Sequence, residues 1–264
     1  MSRPALVPSA AALEASAMES PTYIALSRQL VLSRQMDIVA NNMANAATPA
    51  FKGEEMLFVE YLVQADLNGE PTFTGPDGAV AYVQDLAVVR DTSEGPLTPT
   101  GGPLDFAIHG EGYFVVDTPQ GPRYTRLGRF QLDAEGALVT SEGHAVRGAG
   151  GAIVIPADDG EIVVASDGTI STKGGPIDRL NVVRFADEQG LRKVSGGLYE
   201  TDATPLPNLE AEIAQGMVEE SNVRPVVELT LLMSVMRNFQ AAQRMIETQD
   251  ELQRRVINTI VSST

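Results

Sequence analysis

The sequence predicts an α+β protein: N- and C-terminal helices forming a coiled-coil domain, with a mainly antiparallel β domain between them. Three observations carry this expectation. Residues 22 to 47 and 225 to 261 hold apolar side chains at helical seam spacing. Everything between them is cut by Gly, Pro and Asp into short strand-like pieces. The charge divides the same way: residues 53 to 221 carry 10 Lys plus Arg against 28 Asp plus Glu, whereas residues 18 to 52 and 222 to 264 are each +1. Acidic middles repel when packed tightly while nearly neutral ends can lie side by side, so an assembly of such chains buries the ends and exposes the middles.

The helical seams are read from spacing. Leu32, Met36, Val39, Met43 and Ala46 follow steps of four and three, with Ile24, Val31 and Ile38 repeating every seven beside them. Leu229, Leu232, Met236, Phe239 and Ile246 keep the rhythm near the other end, with Gln243 as a polar interruption, and Leu252, Val256 and Ile260 continue in a shifted phase. At ~1.5 Å per residue these are rods of roughly 40 and 55 Å. Packed only on each other they leave apolar surface in water, which favours further partners over the alternative of an antiparallel pair inside one globular domain.

From these signals the chain divides into five stretches. Residues 1–17, MSRPALVPSAAALEASA, are expected to be a disordered extension or an over-long start, with Met18 as the initiator. Ala15-Ser16-Ala17 faintly resembles a cleavage site, but Pro8 and Glu14 interrupt the apolar run a secretory signal needs. Residues 18–50 form the N-terminal helix, with Ser20 as N-cap and Pro21 at the first helical position. It stops near Thr48, because Pro49 disfavours helical geometry in the residue before it. Asn41, Asn42 and Asn45 are poor helix formers clustered on an apolar helix, and their amides are expected to set register against adjoining helices.

Residues 51–79 read as an extended connector in which Phe58, Tyr61, Leu62 and Val63 form a short helix or strand before turn signals at Asn68-Gly69, Gly75-Pro76 and Asp77-Gly78. Residues 80–218 are the β domain. Its strands are expected at 81–89, 104–109, 113–117, 123–126, 129–132, 137–140, 153–156, 162–165, 169–172, 180–185 and 191–194. Hairpin turns fall at Asp133–Gly136, Asp159-Gly160 and Asp167-Gly168, where Gly supplies positive φ. Residues 219–264 are the C-terminal helix. No strand–helix alternation suggests a dinucleotide-binding sheet.

Chemistry-bearing motifs are sparse. The chain of 264 residues is 43% hydrophobic and 5% aromatic, enough for a core, and has no Cys and no run of 18 apolar residues, so no membrane span is expected. An acidic surface disfavours nucleic acid as a partner. His109 and His144, the only histidines, lie in no metal-ligand spacing, and the glycine clusters at 110–112 and 148–151 lack phosphate-binding patterns. No nucleophile elbow or identifiable carboxylate pair is present, so no catalytic residue, metal or cofactor is expected. On the residues alone a monomeric envelope-binding module, with its β domain as receptor face, and a hydrolase of cell-wall polymer stay open beside a structural subunit.

Three co-linear segments carry a family resemblance. VANNMANAATPAFK, residues 39–52, resembles the N-terminal signature of the flagellar rod and hook family. ESNVRPVVELTLLMSVMRNFQAAQRMI, residues 220–246, is similar to its C-terminal signature, with Ser221, Asn222, Val223, Glu228, Met233, Arg237, Phe239 and Gln240 at matching places. Residues 100–148 resemble the β domain shared by hook and rod proteins. The opening SPTYIALSRQLVLSRQMD and the modest length look most like a proximal rod subunit, with a distal rod subunit as the close alternative. The extension of 17 residues departs from the family pattern, which starts the helix close to the initiator Met.

The resemblance implies a subunit that is not an enzyme. It would associate with copies of itself in a helical assembly and with adjacent rod proteins, pass through the flagellar type III export apparatus without a cleaved signal peptide, and reside in the periplasmic rod of the basal body. The expected assembly residues follow. Leu32, Met36, Val39 and Met43 form the N-terminal seam, Asn41, Asn42 and Asn45 fix register, and Phe51 and Lys52 set the exit toward the connector. Leu229, Met233, Met236, Phe239 and Ile246 form the C-terminal seam, preceded by Ser221-Asn222-Val223, while Arg237 and Gln240 make polar contacts between helices.

Overall fold

A computed structural model describes residues 10–65, 71–72, 79–156, 160 and 162–262. It is α+β, with a mainly antiparallel β domain and long helices toward both ends. The chain separates into two compact units: residues 1–41, 54–89 and 225–264 form one, and residues 42–53 and 90–224 the other. The turn signals at Asn68-Gly69, Gly75-Pro76 and Asp77-Gly78, the first nine residues, and Asp159 lie outside the described residues.

In the first unit, helix α1 spans Ala10–Ala44 and helix α2 spans Pro225–Ser262. The α1 backbone thus begins ten residues before Ser20, and Pro21 lies inside it. Residues 10–19 include five alanines, the strongest helix former, which supports helix upstream of the capping signal. At its other end α1 dissolves into turns closed by Asn45 N donating to Asn42 O at 3.1 Å and Thr48 N to Asn45 O at 3.0 Å. Ala50 then takes φ = 57°, the left-handed region costly for a residue with a Cβ, and this turns the chain within the second unit just before Phe51. Helix α2 opens on Pro225, whose missing N–H costs nothing at a first helical position, with Glu228 in the first turn.

The same unit contains two strands of 12 residues, Glu54–Ala65 and Ala79–Arg90, with the short strand Pro71–Thr72 on the far side of Glu54–Ala65. The stretch expected to be an extended connector therefore begins as a strand. Its run Phe58, Val59, Tyr61 and Val63 is β-branched and aromatic, the composition a pleated ladder favours.

The second unit is built on a nine-stranded sheet. Along its main path the strands run Arg192–Lys193, Leu198–Glu200, Gly121–Thr125, Tyr113–Thr118, Ala145–Val146, Leu138–Thr140, Phe130–Leu132. Val182–Arg184 also pairs with Tyr113–Thr118, and Leu206–Pro207 with Val182–Arg184. Tyr113–Thr118 is the pivot because both of its faces are covered. Phe114 and Val116 join the larger core with Phe106, Phe130, Leu138, Val146 and Ile170, while Tyr113 and Val115 point the other way into Tyr124, Phe185, Leu191 and Tyr199. The rings of Phe114 and Phe130 meet edge to face at 5.3 Å.

Two small ladders tie the closing segment of this unit back to its opening segment. Glu212–Gln215 pairs antiparallel with Phe106–His109, and Met217–Glu219 with Leu97–Pro99. Leu97–Pro99, Gly175–Arg179, Leu206–Pro207, Glu212–Gln215 and Met217–Glu219 were not expected as strands. They are short, rich in Pro, Gly or Glu, and without a long alternating run, so the ladder that holds them is set by distant partners. Residues 153–156, expected as a strand, make a single isolated bridge, Val154 to Ala137.

A candidate assembly site at the neck and on the helices

The two segments of the second unit, residues 42–53 and 90–224, have their C-terminal ends side by side. Phe51, Lys52 and Gly53 lie beside Glu219, Ser221 and Val223, and all six are buried. Ala50 N donates to Glu219 O at 2.8 Å, Asn222 N to Phe51 O at 3.3 Å, and Gly53 N to Asn222 Oδ1 at 2.8 Å. Asn222 Nδ2 donates to Asp91 O at 2.9 Å, and Ser221 Oγ accepts from Val223 N at 3.2 Å. The Ser-Asn-Val signature therefore clamps the main chain of residues 51–53 and Asp91, largely through its hydroxyl and amide side chains.

One carboxylate holds this neck together. Glu219 Oε1 accepts from Lys52 Nζ at 2.6 Å and from Gly95 N at 2.9 Å, while Glu219 Oε2 accepts from Arg126 Nε at 2.8 Å. The side chains of Lys52, Arg126 and Glu219 are 2%, 4% and 1% exposed. The remaining donors are committed too: Lys52 Nζ reaches Ser93 O at 2.6 Å, and Arg126 Nη1 reaches Gly110 O and Gly112 O at 2.8 Å each. Burial pushes the Lys52 ammonium below the ordinary lysine range, against the pull of Glu219. Gly95 is needed for close approach, since a Cβ there would overlap the Glu220 carbonyl oxygen. Lys193 Nζ caps the buried Phe51 ring at 3.9 Å from its centroid.

Beside the neck lies a cleft of about 480 Å³ whose lining includes Lys52, Glu94, Tyr113, Arg126 and Glu188. Burial raises both the Tyr113 phenol and the Glu188 carboxyl. Both cations of this lining are already held by Glu219 and main-chain carbonyls, and among the described residues no three His, Asp or Glu side chains converge as a metal site.

The helices carry the other expected residues. On α1, Leu32 and Val39 are buried, Met36, Met43 and Asn45 half-buried, Asn42 buried and Asn41 exposed. On α2 burial follows a heptad rhythm through Leu232, Val235, Phe239, Ala242 and Ile246, with Val235 and Ala242 fully covered. Leu229, Met233 and Met236, expected on one seam with Phe239 and Ile246, lie on a second stripe. They are exposed at 45%, 48% and 46%, and Val226 extends the stripe at 78%. Arg237 is exposed and turns its Nε to Met233 O in its own helix at 3.2 Å, and Gln240 is exposed beside it.

Glu219, Arg126, Ser93 and Gly95 escaped sequence reasoning. Their partners lie 41 to 167 residues apart along the chain, and an isolated Glu-Glu pair in a strand end has no local signature of burial. The one available signal was that Lys52 and Ser221-Asn222-Val223 sit in two conspicuous motifs, which pointed to the neck without naming its carboxylate.

Three family models match along the chain in order: "Flagella basal body rod protein" over residues 23–52, "Flagellar hook protein FlgE/F/G D1 domain" over 107–172, and "Flagellar basal body rod FlgEFG protein C-terminal" over 214–259. A flagellar basal-body rod protein FlgF of Caulobacter vibrioides is 38% identical over 92% of this chain and 98% of its own length. The chain belongs to the flagellar basal-body rod family. FlgF of Rhizobium meliloti is 33% identical over 93% of this chain and its full length, and FlgG of Bacillus subtilis is 31% identical over 89% of this chain and 97% of its own. This rod-family chain is thus a structural protein of the flagellar basal body, with its part in motility following from that place. No helix among its described residues is long and apolar enough to cross a membrane. The two terminal family segments end and begin around Lys52 and Glu219, so the neck is where they join.

Proposed function

We propose that the chain is a proximal rod subunit of the FlgF type that self-associates through both terminal helices as a coiled coil, meets adjacent rod proteins along the same helices, and has a structural rather than catalytic role. The observation that carries this is the stripe of Val226, Leu229, Met233 and Met236 on α2: four large apolar side chains, each roughly half exposed or more, on a helix that already buries another stripe. At ~25 cal/mol per Å² such a surface favours cover by a neighbour. A head-to-tail contact that does not close builds a filament of the kind a rod requires. The FlgF-named relatives at 33% and 38% identity favour the proximal position.

The nearly neutral ends are the parts that would pack inward, and the acidic middle would face outward in the periplasm. Delivery through the flagellar type III apparatus without a cleaved signal is part of the same reading. The distal rod is the second reading, favoured by the FlgG relative at 31% identity over most of the chain.

Complementation separates the two: the chain is expected to restore swimming in a strain lacking its own FlgF and not in one lacking FlgG, and the reverse pattern would assign it to the distal rod. Ending the chain after Arg224 removes α2 while keeping Asn222 and Val223 in the neck. Cells carrying that form are expected to be non-motile, with incomplete rods by electron microscopy.

A further inference from the structure

The bonds at the neck have a register. Residue 50 pairs with 219, and residues 51 and 53 both pair with 222, so the entering and leaving segments run parallel. A pull on α1 drags residues 50–53 backward along that direction, and a pull on α2 drags residues 219–222 forward. The bonds are therefore loaded in shear, several at once, instead of opening one after another. One buried ion pair, Lys52 to Glu219, crosses the same joint, and a second, from Arg126, holds the same carboxylate from the enclosed side.

We propose that the neck is a mechanical clamp: tension applied through the two terminal helices passes from Phe51–Gly53 directly into Glu219–Asn222 and bypasses the sheet of the second unit. The part of the second unit enclosed by the clamp, residues 90–219, feels no end-to-end tension until the neck fails. Gly95 and Arg126 brace Glu219 from the enclosed side, so the carboxylate resists being drawn out with the leaving strand. A domain built this way keeps its fold while the segments that flank it carry load.

The test is to pull single full-length molecules by their two ends in an optical trap. The clamp predicts one dominant rupture that releases residues 90–219 together, roughly 430 Å of contour at ~3.3 Å per residue. Lys52→Met is expected to raise the rupture rate at fixed force by roughly a hundredfold, which at ~1.4 kcal/mol per tenfold matches the loss of a buried ion pair. Asn222→Ala removes the hydrogen bonds to Gly53, Asp91 and Ser93 without touching the charges, and is expected to raise the rate about tenfold, the scale of one or two such bonds. It provides the comparison if Lys52→Met lowers the folded fraction seen in the near-ultraviolet spectrum of its aromatic residues. Release in several small steps, at rates the substitutions leave unchanged, would overturn the clamp.

Discussion

The neck of the second unit and the outer stripe of α2 solve opposite problems. At the neck, three charged side chains are withdrawn from water and every one has partners within the chain. On α2, the apolar side chains of Leu229, Met233 and Met236 remain half in water. Isolated buried charge is among the costliest features a fold can contain, and it persists only where the chain completes it. Exposed apolar surface is tolerated by a single molecule and removed by association. The difference separates what the chain finishes alone from what it leaves for a neighbour.

The largest effect expected from this contrast is at Glu219. Glu219→Ala strands Lys52 and Arg126 in the interior, and the full chain should lose about 3–5 kcal/mol in denaturant unfolding. A loss under about 1 kcal/mol would mean that the neck is no more than a surface pair. Gly128→Ala comes next. A Cβ there overlaps the Phe106 carbonyl oxygen and crowds the Phe114 ring, so a loss of about 2 kcal/mol is expected, visible as a lower Tm of the second unit. Met236→Ala should instead leave stability within about 0.5 kcal/mol, as an exposed position does, while weakening association measured by light scattering.

The smallest effect concerns pH. Glu94 and His109 form a surface pair at 2.9 Å. The hydrogen bond that its Nδ1–H donates to the Glu94 carboxylate raises the His109 imidazole above its ordinary 6.5. Glu94 itself is pushed up by burial but drawn down further by His109 and the Gly110 N–H, and ends below its ordinary 4.5. His109 contributes fully below 6.5 and loses that contribution as pH rises through its raised value, while Glu94 contributes above 4.5 and loses it as pH falls through its lowered value. The Tm difference between the chain and its His109→Gln variant should therefore be greatest between pH 4.5 and 6.5 and shrink on either side.

Local periodicity found what is local. The seam Leu32–Met36–Val39–Met43 lies on the covered side of α1, and the strands at 106–109, 113–118 and 138–140 follow their alternating or continuous apolar runs. A C-terminal helix is present but opens at Pro225, after Met217–Glu219 has paired as a strand, and burial divides its apolar residues between Val235–Ala242 and Leu229–Met236 where the spacing suggests one seam. A heptad pattern gives spacing and leaves the phase of the buried face to the packing. The ionic neck was out of reach for a different reason. Lys52, Arg126 and Glu219 are ordinary surface-type residues in sequence, and only the pairing of Met217–Glu219 with Leu97–Pro99 brings the carboxylate inside.

Whether α2 is the unfinished surface is decided by a single charge placed on its outer stripe. A strain producing the full chain with Met236→Asp in place of the native one should not swim and should show basal bodies without a completed rod, while the purified variant keeps the denaturant midpoint of its second unit. Normal swimming with intact rods would contradict the assignment of this stripe to assembly.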